Sequence, residues 1–443
     1  MTWAARAMFS GVAGSSSVIG QIVAQDVILR YNCAILFKEF AMDFSNGDSV
    51  SRRIAVLKQR AQAMRDHDFY FYNQPVQEVL GGSKVIVNGR EMGMYASYSY
   101  LGLVGHPRIN EAAKRAIDKF GTGTHGVRTL AGSLTIHREL EETIADFKRA
   151  EDAVTYTSGY ATNLTVISTL MGRGDYVLSD KLNHASIVDG CLMSGAEFRR
   201  FRHNDMADLE HRLQQVPEGA AKLVVADAVF SMDGDVIDLP KMVELCRKYG
   251  AYLMMDEAHS VGVLGKTGRG IEEHFDLWGS VDIKMGTLSK TIPSAGGYVA
   301  GKKELIEFLR HGSRAYIFSA ALPPGQAAAA NEAFKVILDE PWRIEKLNHN
   351  TRLFIDGLKG MGFDTMLTTT AIVPVLCGTD ERAFALTQAC QRNDVFVLPV
   401  VSPAVPEGLS RLRATVLASH EDDEIKRAMG IIGKAGKELG IIQ

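Results

Sequence analysis

Between residues 107 and 305 short apolar runs alternate with helical segments, and this alternation constrains the fold more than any other feature of the chain. The runs are AVTYT (153–157), YVLS (176–179), KLVVADAVF (222–230), AYLMMD (251–256), VDIKMGTL (281–288) and GGYVAG (296–301). Short buried strands separated by helices imply right-handed crossovers and a mainly parallel sheet covered on both faces. One linking helix is marked at both ends: Pro240 stands near its start, Met242, Val243, Leu245 and Cys246 give its apolar face, and Gly250 follows its end.

The flanks read differently. Residues 48–66 carry charged and apolar groups at helical spacing, and KVIVNGREMGMYA reads as two strands around an Asn88-Gly89 turn. After about residue 330 long helices precede the strands AIVPVLC (371–377) and VFVLPV (395–400), the segment RLRATVL (411–417) and a final helix from about 421 to 438. The 443 residues leave room for two or three domains of about 150 residues, or a large α/β core with a smaller partner. The expected organisation is an N-terminal extension over 1–41, a helix-and-hairpin segment over 42–106, a large domain over 107–330 and a small C-terminal α/β domain over 331–443.

Composition removes several function classes. With 49 Lys and Arg against 52 Asp and Glu, no basic excess points to nucleic acid. Cys33, Cys191, Cys246, Cys377 and Cys390 are scattered and form no CxxC, so neither a disulfide framework nor a zinc ribbon is indicated, and a cytoplasmic, reducing location is expected. The twelve histidines lack HExxH or clustered spacing, so no bound metal is expected. Ala7 to Gln25 carry no charge, but glycines and serines dilute the stretch below what a membrane span needs, and it lacks the basic start and compact core of a signal peptide. It reads as a loosely attached extension, with peripheral membrane contact as the alternative.

Ligands of open parallel sheets sit beyond the carboxyl ends of the strands, and three ends here carry polar groups. Strand 251–256 delivers Asp256 and, three residues on, His259; strand 281–288 runs through Thr287 into Ser289 and Lys290; strand 222–230 runs into Ser231. Singly, Lys290 reads as a solvated loop lysine, Asp256 as a helix cap and His259 as a hydrogen-bonded core histidine. Their combination meets the needs of pyridoxal phosphate chemistry: a lysine to form an imine, a carboxylate to keep the pyridine nitrogen protonated, and donors for a phosphate. TSGYATN places Gly159 and Tyr160 after a strand and at the start of a helix, where free N–H groups and the helix dipole favour a phosphate. Rival motifs fail on spacing. DEAH at 256–259 has no upstream phosphate loop, and GTGTHGVRTLAG (121–132) does not form GxGxxG between a strand and a helix.

Taken in order, YLGL, GTGTHGVRTLAGS, SGYATN, NHASIVDG, RFRHND, VFSMDGD, DEAHSVGVLG, GRG, GTLSK, SAGGY, YIFSAALPP and RLRATVLASH resemble the α-oxoamine synthases over about residues 85–440. That family of fold-type-I pyridoxal-phosphate enzymes includes serine palmitoyltransferase, 8-amino-7-oxononanoate synthase and 2-amino-3-ketobutyrate CoA ligase. The resemblance implies a large domain with a mainly parallel sheet flanked by helices, and a smaller C-terminal α/β domain. It implies that Lys290 bonds the cofactor, that Asp256 partners the pyridine nitrogen, and that His259 and Ser231 lie near the ring hydroxyl. His184 would stack on the ring and help hold the substrate carboxylate, Gly159, Tyr160 and Thr287 would hold the phosphate, and Arg413 would bind a carboxylate. Ser319 would reach the phosphate of a neighbouring subunit, which implies a homodimer. Where the family usually has Asn before the Tyr-Leu-Gly triplet, near the substrate, this chain has Ser99.

The implied reaction joins an amino acid to an acyl thioester, on coenzyme A or a carrier protein, with loss of carbon dioxide, and gives an α-amino ketone. The alternatives are another fold-type-I enzyme, such as an aminotransferase or aldolase, and a non-catalytic partner subunit. The presence of Lys290, Asp256 and His184 together stands against the latter.

Overall fold

The computed structural model describes residues 49–443, so the extension expected over 1–41, with Cys33, lies outside the described residues. Helix Ser49–Asp66 leads into β1 (Val76–Val79), β2 (Lys84–Val87) and β3 (Arg90–Met94). The β2-β3 turn is the expected one: Asn88 and Gly89 have φ of 52° and 72°, the left-handed pair that a two-residue hairpin requires.

The central sheet has seven strands: β4 (Asp152–Tyr156), β5 (Tyr176–Asp180), β6 (Glu197–Phe201), β7 (Lys222–Asp227), β8 (Tyr252–Asp256), β9 (Ile283–Ser289) and β10 (Pro293–Gly301). Their order is β4-β10-β9-β8-β7-β5-β6. Only β10 runs antiparallel to its neighbours, and helices pack against the sheet, which is the mainly parallel architecture expected from the alternation. Two details differ from the sequence reading. The edge strand β6, EFRRF, was not anticipated, because an edge carries charge: Arg199 lies over the Tyr176 ring and Arg200 over Phe198. The run 222–230 is a strand only to Asp227, after which the chain curls over the sheet end, with Ala228 N–H donating to the Asp256 carbonyl and Val229 bridging to Val236.

The smaller domain is built on β11 (Ile372–Gly378), β13 (Leu398–Val400) and β14 (Ser410–Thr415), paired antiparallel in the order β11-β14-β13. VFVLPV does not form one strand. Val395–Phe396, β12, pairs parallel with β3 in the N-terminal sheet, and the chain then crosses into β13. Val395, Phe396 and Val397 are all buried, so no alternation marks the crossing. A continuous core joins the parts: Tyr100 and Leu101, Phe230 and Leu288, and Ile372 and Val416 belong to one apolar cluster. The Arg413-bearing strand is thereby held against the carboxyl end of the central sheet, and Arg413 Nε donates to the Ser231 carbonyl at 2.6 Å.

Candidate active site

Parallel register places the chemistry at one edge. Asp227 on β7 pairs with Asp256 on β8, and Asp256 pairs with Met285 on β9, two residues before Thr287. A cavity of about 270 Å³ opens there, and it brings together Gly159, Tyr160, His184, Ser231, Asp256, His259, Thr287 and Lys290, eight of the residues singled out in the sequence. Ser99 lies in an adjoining hollow that also touches Lys290 and Ser289. Its hydroxyl is occupied, accepting from the N–H groups of Leu103 and Val104 at 3.1 and 3.3 Å. Ser319 is partly exposed and does not line this chain's cavity.

Each group is held by its surroundings. Asp256 accepts from Asn163 Nδ2 at 2.7 Å and from the Ala258 N–H at 2.9 Å, so its carboxylate is oriented and its charge is stabilised within a buried site. Lys290 Nζ lies 2.8 Å from His259 Nε2, and His259 Nδ1 lies 2.5 Å from the Tyr100 hydroxyl. While Lys290 is an ammonium it can only donate, which places the imidazole proton on Nδ1, facing the Tyr100 oxygen. Burial holds the His259 pKa well below the ordinary value, and the positive charges of Lys290 and Arg413 lower it further. Burial likewise pushes Tyr100 up to about 12. His184 caps helix Ala185–Ser194, its Nδ1 meeting the Ser186 hydroxyl at 2.7 Å, and burial keeps the ring neutral by lowering its pKa.

Lys290 is brought down to about 8, chiefly by burial; the Asp256 charge pulls it up, and Arg413 opposes that pull. At neutral pH such an amine has an accessible neutral form, as a nucleophile and base needs. In the apoprotein, an amine-selective reagent is expected to modify Lys290 with a midpoint near pH 8, whereas exposed lysines respond about two units higher. Peptide masses after labelling at graded pH would read this. A Lys290 that labels in step with surface lysines would contradict it.

The residues fit pyridoxal phosphate. Helix Gly159–Leu170 starts at the cavity, capped by Ser158, and leaves the early N–H groups of its first turn for an anion. The approach is close: a Cβ on Gly159 would lie 3.0 Å from Thr287 Oγ1, and one on Gly297 would lie 2.4 Å from Thr162 Oγ1 and 2.8 Å from Gly159 Cα. Only glycine at 297 lets β10 pass beneath the helix start. Asp256 suits a protonated ring nitrogen, and Lys290 a carbonyl carbon. Arg413 is buried, and its Nη2 has no partner, leaving a donor for a carboxylate.

Four residues were missed in the sequence. Asn163 sits one helical turn beyond Gly159 and clamps Asp256. Asp227 ends β7 and accepts the His184 N–H at 3.2 Å. Tyr100 supports His259, and Tyr98, 42 % exposed, covers the Arg413 guanidinium at 4.7 Å and Lys290 Nζ at 5.7 Å from its ring centre. Asp227 also stands at a strand end, but the apolar run continues past it to Phe230 and hides that end.

Among the described residues no group of His, Cys, Asp or Glu is arranged to hold a metal, and no helix is long and apolar enough to cross a membrane. Residues 94–432 match the family described as aminotransferase class I and II. The 8-amino-7-oxononanoate synthase of Thermoanaerobacter pseudethanolicus is 44% identical over 368 residues, covering 83% of this chain and 93% of that protein. The serine palmitoyltransferase of Sphingobacterium spiritivorum is 41% identical over 380 residues, covering 86% and 95%. Among solved structures, a serine palmitoyltransferase from S. paucimobilis with bound PLP and myriocin superposes with a TM-score of 0.86 at 36% identity, over 89% of this chain and all of that one.

Proposed function

Because this chain belongs to the aminotransferase class I and II family and, within it, to the α-oxoamine synthases, we propose that it condenses an amino acid with an acyl thioester, releasing carbon dioxide and the free thiol and giving an α-amino ketone. The observation that carries this reading is the convergence of Lys290, Asp256, His184 and His259 on one cavity at the carboxyl edge of a mainly parallel sheet. Pyridoxal phosphate, when bound there, supplies an electron sink for the carbanion that forms as the α-proton leaves.

The chain's own residues do the rest. Asp256 keeps a negative charge in a dry site, fixed by the Asn163 and Ala258 N–H groups. The helix start at Gly159 and Tyr160, with Thr287, forms the phosphate cradle. Lys290, with its lowered pKa, takes the α-proton onto Nζ, and neutral His259, 2.8 Å away and braced by Tyr100, keeps that amine in place without adding a competing positive charge. His184 and the free N–H of Arg413 hold the substrate carboxylate, and fixing it lines the breaking bond up with the ring π system, an orientation effect of several-fold to many-fold in rate. Ser231, which lines the cavity wall, would serve the ring hydroxyl of the bound cofactor.

A homodimer belongs to the same reading. Ser319 lies next to Phe318, 71 % exposed, and its segment bridges to the loop bearing Leu130, 84 % exposed, through Val127 and Ala320. This apolar surface supports a second copy as its cover, with Ser319 reaching the partner's phosphate site. Sedimentation in the presence of substrates is expected to give an active dimer; full activity from a monomer would refute it. A cytoplasmic location is in keeping with the four cysteines of the described residues, all buried as free thiols. The division at about residue 330 into a large and a smaller domain is proposed on the two separate sheets.

A panel crossing glycine, alanine, serine and other amino acids with short, medium and long acyl-CoAs, read by free thiol and by the mass of the aminoketone, tests the function. One productive pair establishes the reaction. Amino-group transfer or retro-aldol cleavage without thiol release would make it an aminotransferase or aldolase instead.

A further inference from the structure

We propose that Asp227 is a positioning residue that stands as a neutral carboxylic acid beside ionised Asp256, anchoring the start of the His184 helix while leaving the site a single carboxylate charge. The inference rests on the reading that this cavity holds pyridoxal phosphate. Adjacent parallel strands lie about 5 Å apart and paired residues point to the same face, so the β7-β8 register puts the two carboxyl groups side by side. Both are buried, at 4 % and 5 % exposure.

Two carboxylates so placed cannot both keep a charge cheaply, and the one with more donors keeps it. Asp256 receives two N–H groups at 2.7 and 2.9 Å. Asp227 receives one, from the His184 backbone at 3.2 Å, and its Oδ1 is buried in the cavity wall with no partner. With no donor on that oxygen a negative charge there goes unstabilised, and an unpaired neutral hydroxyl costs less to bury than an unpaired anion. The groups facing Asp227 are Asp256 from β8, Lys290 from beyond β9, Asp180 from the end of β5 and the His184 N–H from beyond it; burial and the two aspartates raise its pKa well above the ordinary carboxylate value, against Lys290 and that N–H. Asp180 is itself spent on the Leu182 and Asn204 N–H groups and on His203, so it offers Asp227 no proton.

Asp227 is also fixed from behind. Its N–H donates to Asn183 Oδ1 at 2.9 Å, and Asn183 Nδ2 donates to Val225 O and Ser179 Oγ at 2.8 Å. The β7 end, the Asn183-His184 turn and the His184 ring therefore move as one unit. A side chain without an acceptor at 227 frees the turn; an amide, which mimics the neutral acid, keeps it.

The test is a pH titration of the visible absorbance of the holoenzyme, for wild type, Asp227→Asn and Asp227→Ala, together with the KM for the amino acid. The titration midpoint of Asp227→Asn is expected within about 0.3 unit of wild type, because no charge is lost, whereas removing a charged neighbour would move it by about one unit or more. Asp227→Ala is expected to raise the amino-acid KM about 10-fold with a smaller change in kcat, the worth of one buried hydrogen bond to the turn that carries His184. Asp227→Val, which likewise offers no acceptor and suits a strand end, serves the same purpose should the alanine variant fold poorly. A midpoint displaced by a unit in Asp227→Asn overturns the neutral acid, and an unchanged KM in Asp227→Ala overturns the positioning role. A wild-type protein that develops no visible band overturns the functional reading itself.

Discussion

Lys290→Ala is expected to abolish condensation, lowering kcat by at least about 10³-fold, since a positioned base alone contributes about 10²–10⁴-fold. The variant loses more than a base. The ammonium of Lys290 is the group that Asp256 and Asp227 face, and its Nζ is held 2.8 Å from His259 Nε2. Nothing else within the cavity can replace it: His259 is kept neutral but its pKa lies well below the ordinary range, and His184 is lowered too, so neither is a strong base. The phosphate cradle at Gly159 and the Asp256 carboxylate remain, so the variant should still bind pyridoxal phosphate, but without the visible band of a lysine-bound cofactor. Absorbance after dialysis, with free-thiol release from an acyl-CoA, reads both. Residual condensation above about a hundredth of the wild-type rate would assign the base elsewhere.

The strand-end rule explains which parts of this site were visible beforehand. Asp256 and Thr287 stand in the last two residues of their apolar runs and His259 and Lys290 follow within three residues, and those runs end at or within one residue of the strand ends, so polarity at the end of an apolar run marked the cavity rim. Asp227 escaped because KLVVADAVF stays apolar beyond it; Ala228 to Phe230 are buried by the curled loop rather than by the ladder, and apolar character alone does not separate the two. Asn163 escaped for another reason: its role exists only because helix Gly159–Leu170 packs over β9 and β10 and so brings Asn163 to the Asp256 carboxyl at the end of β8, a contact between residues 93 apart. Ser99, expected near substrate, lines the hollow beside Lys290 with its hydroxyl closing a local turn, and Tyr98 beside it covers the charged groups. The alternation of strands and helices gave the layered core, but β6 and the crossing at Val397 depend on edges and sheet exchange, which leave no periodic signal.

Asp256→Asn is expected to lower kcat by about 10²–10³-fold, the usual loss when one preorganised electrostatic group is removed from a dry site. The side chain keeps its shape: its one oxygen still accepts from the Ala258 N–H, and its new NH2 can donate to Asn163 Oδ1, unpartnered in the native site, once the Asn163 amide turns over, so cofactor binding should weaken far less than turnover. The loss is one of charge: the ring nitrogen no longer has an anion to hold its proton, and the α-carbanion loses its sink. How complete that loss is depends on Asp227. With Asp256 neutral, the like-charge repulsion that helps keep Asp227 protonated disappears, while the attraction of Lys290 remains, so the Asp227 pKa falls and part of the charge returns to the pair. Asp227→Asn should therefore cost about a further 10-fold in kcat when added to Asp256→Asn, a coupling of the size seen between directly interacting groups. Steady-state kinetics of the two single variants and the double variant measure it. Independent effects in the cycle would mean that the two carboxyl groups do not share one charge, and that Asp256 acts without its neighbour.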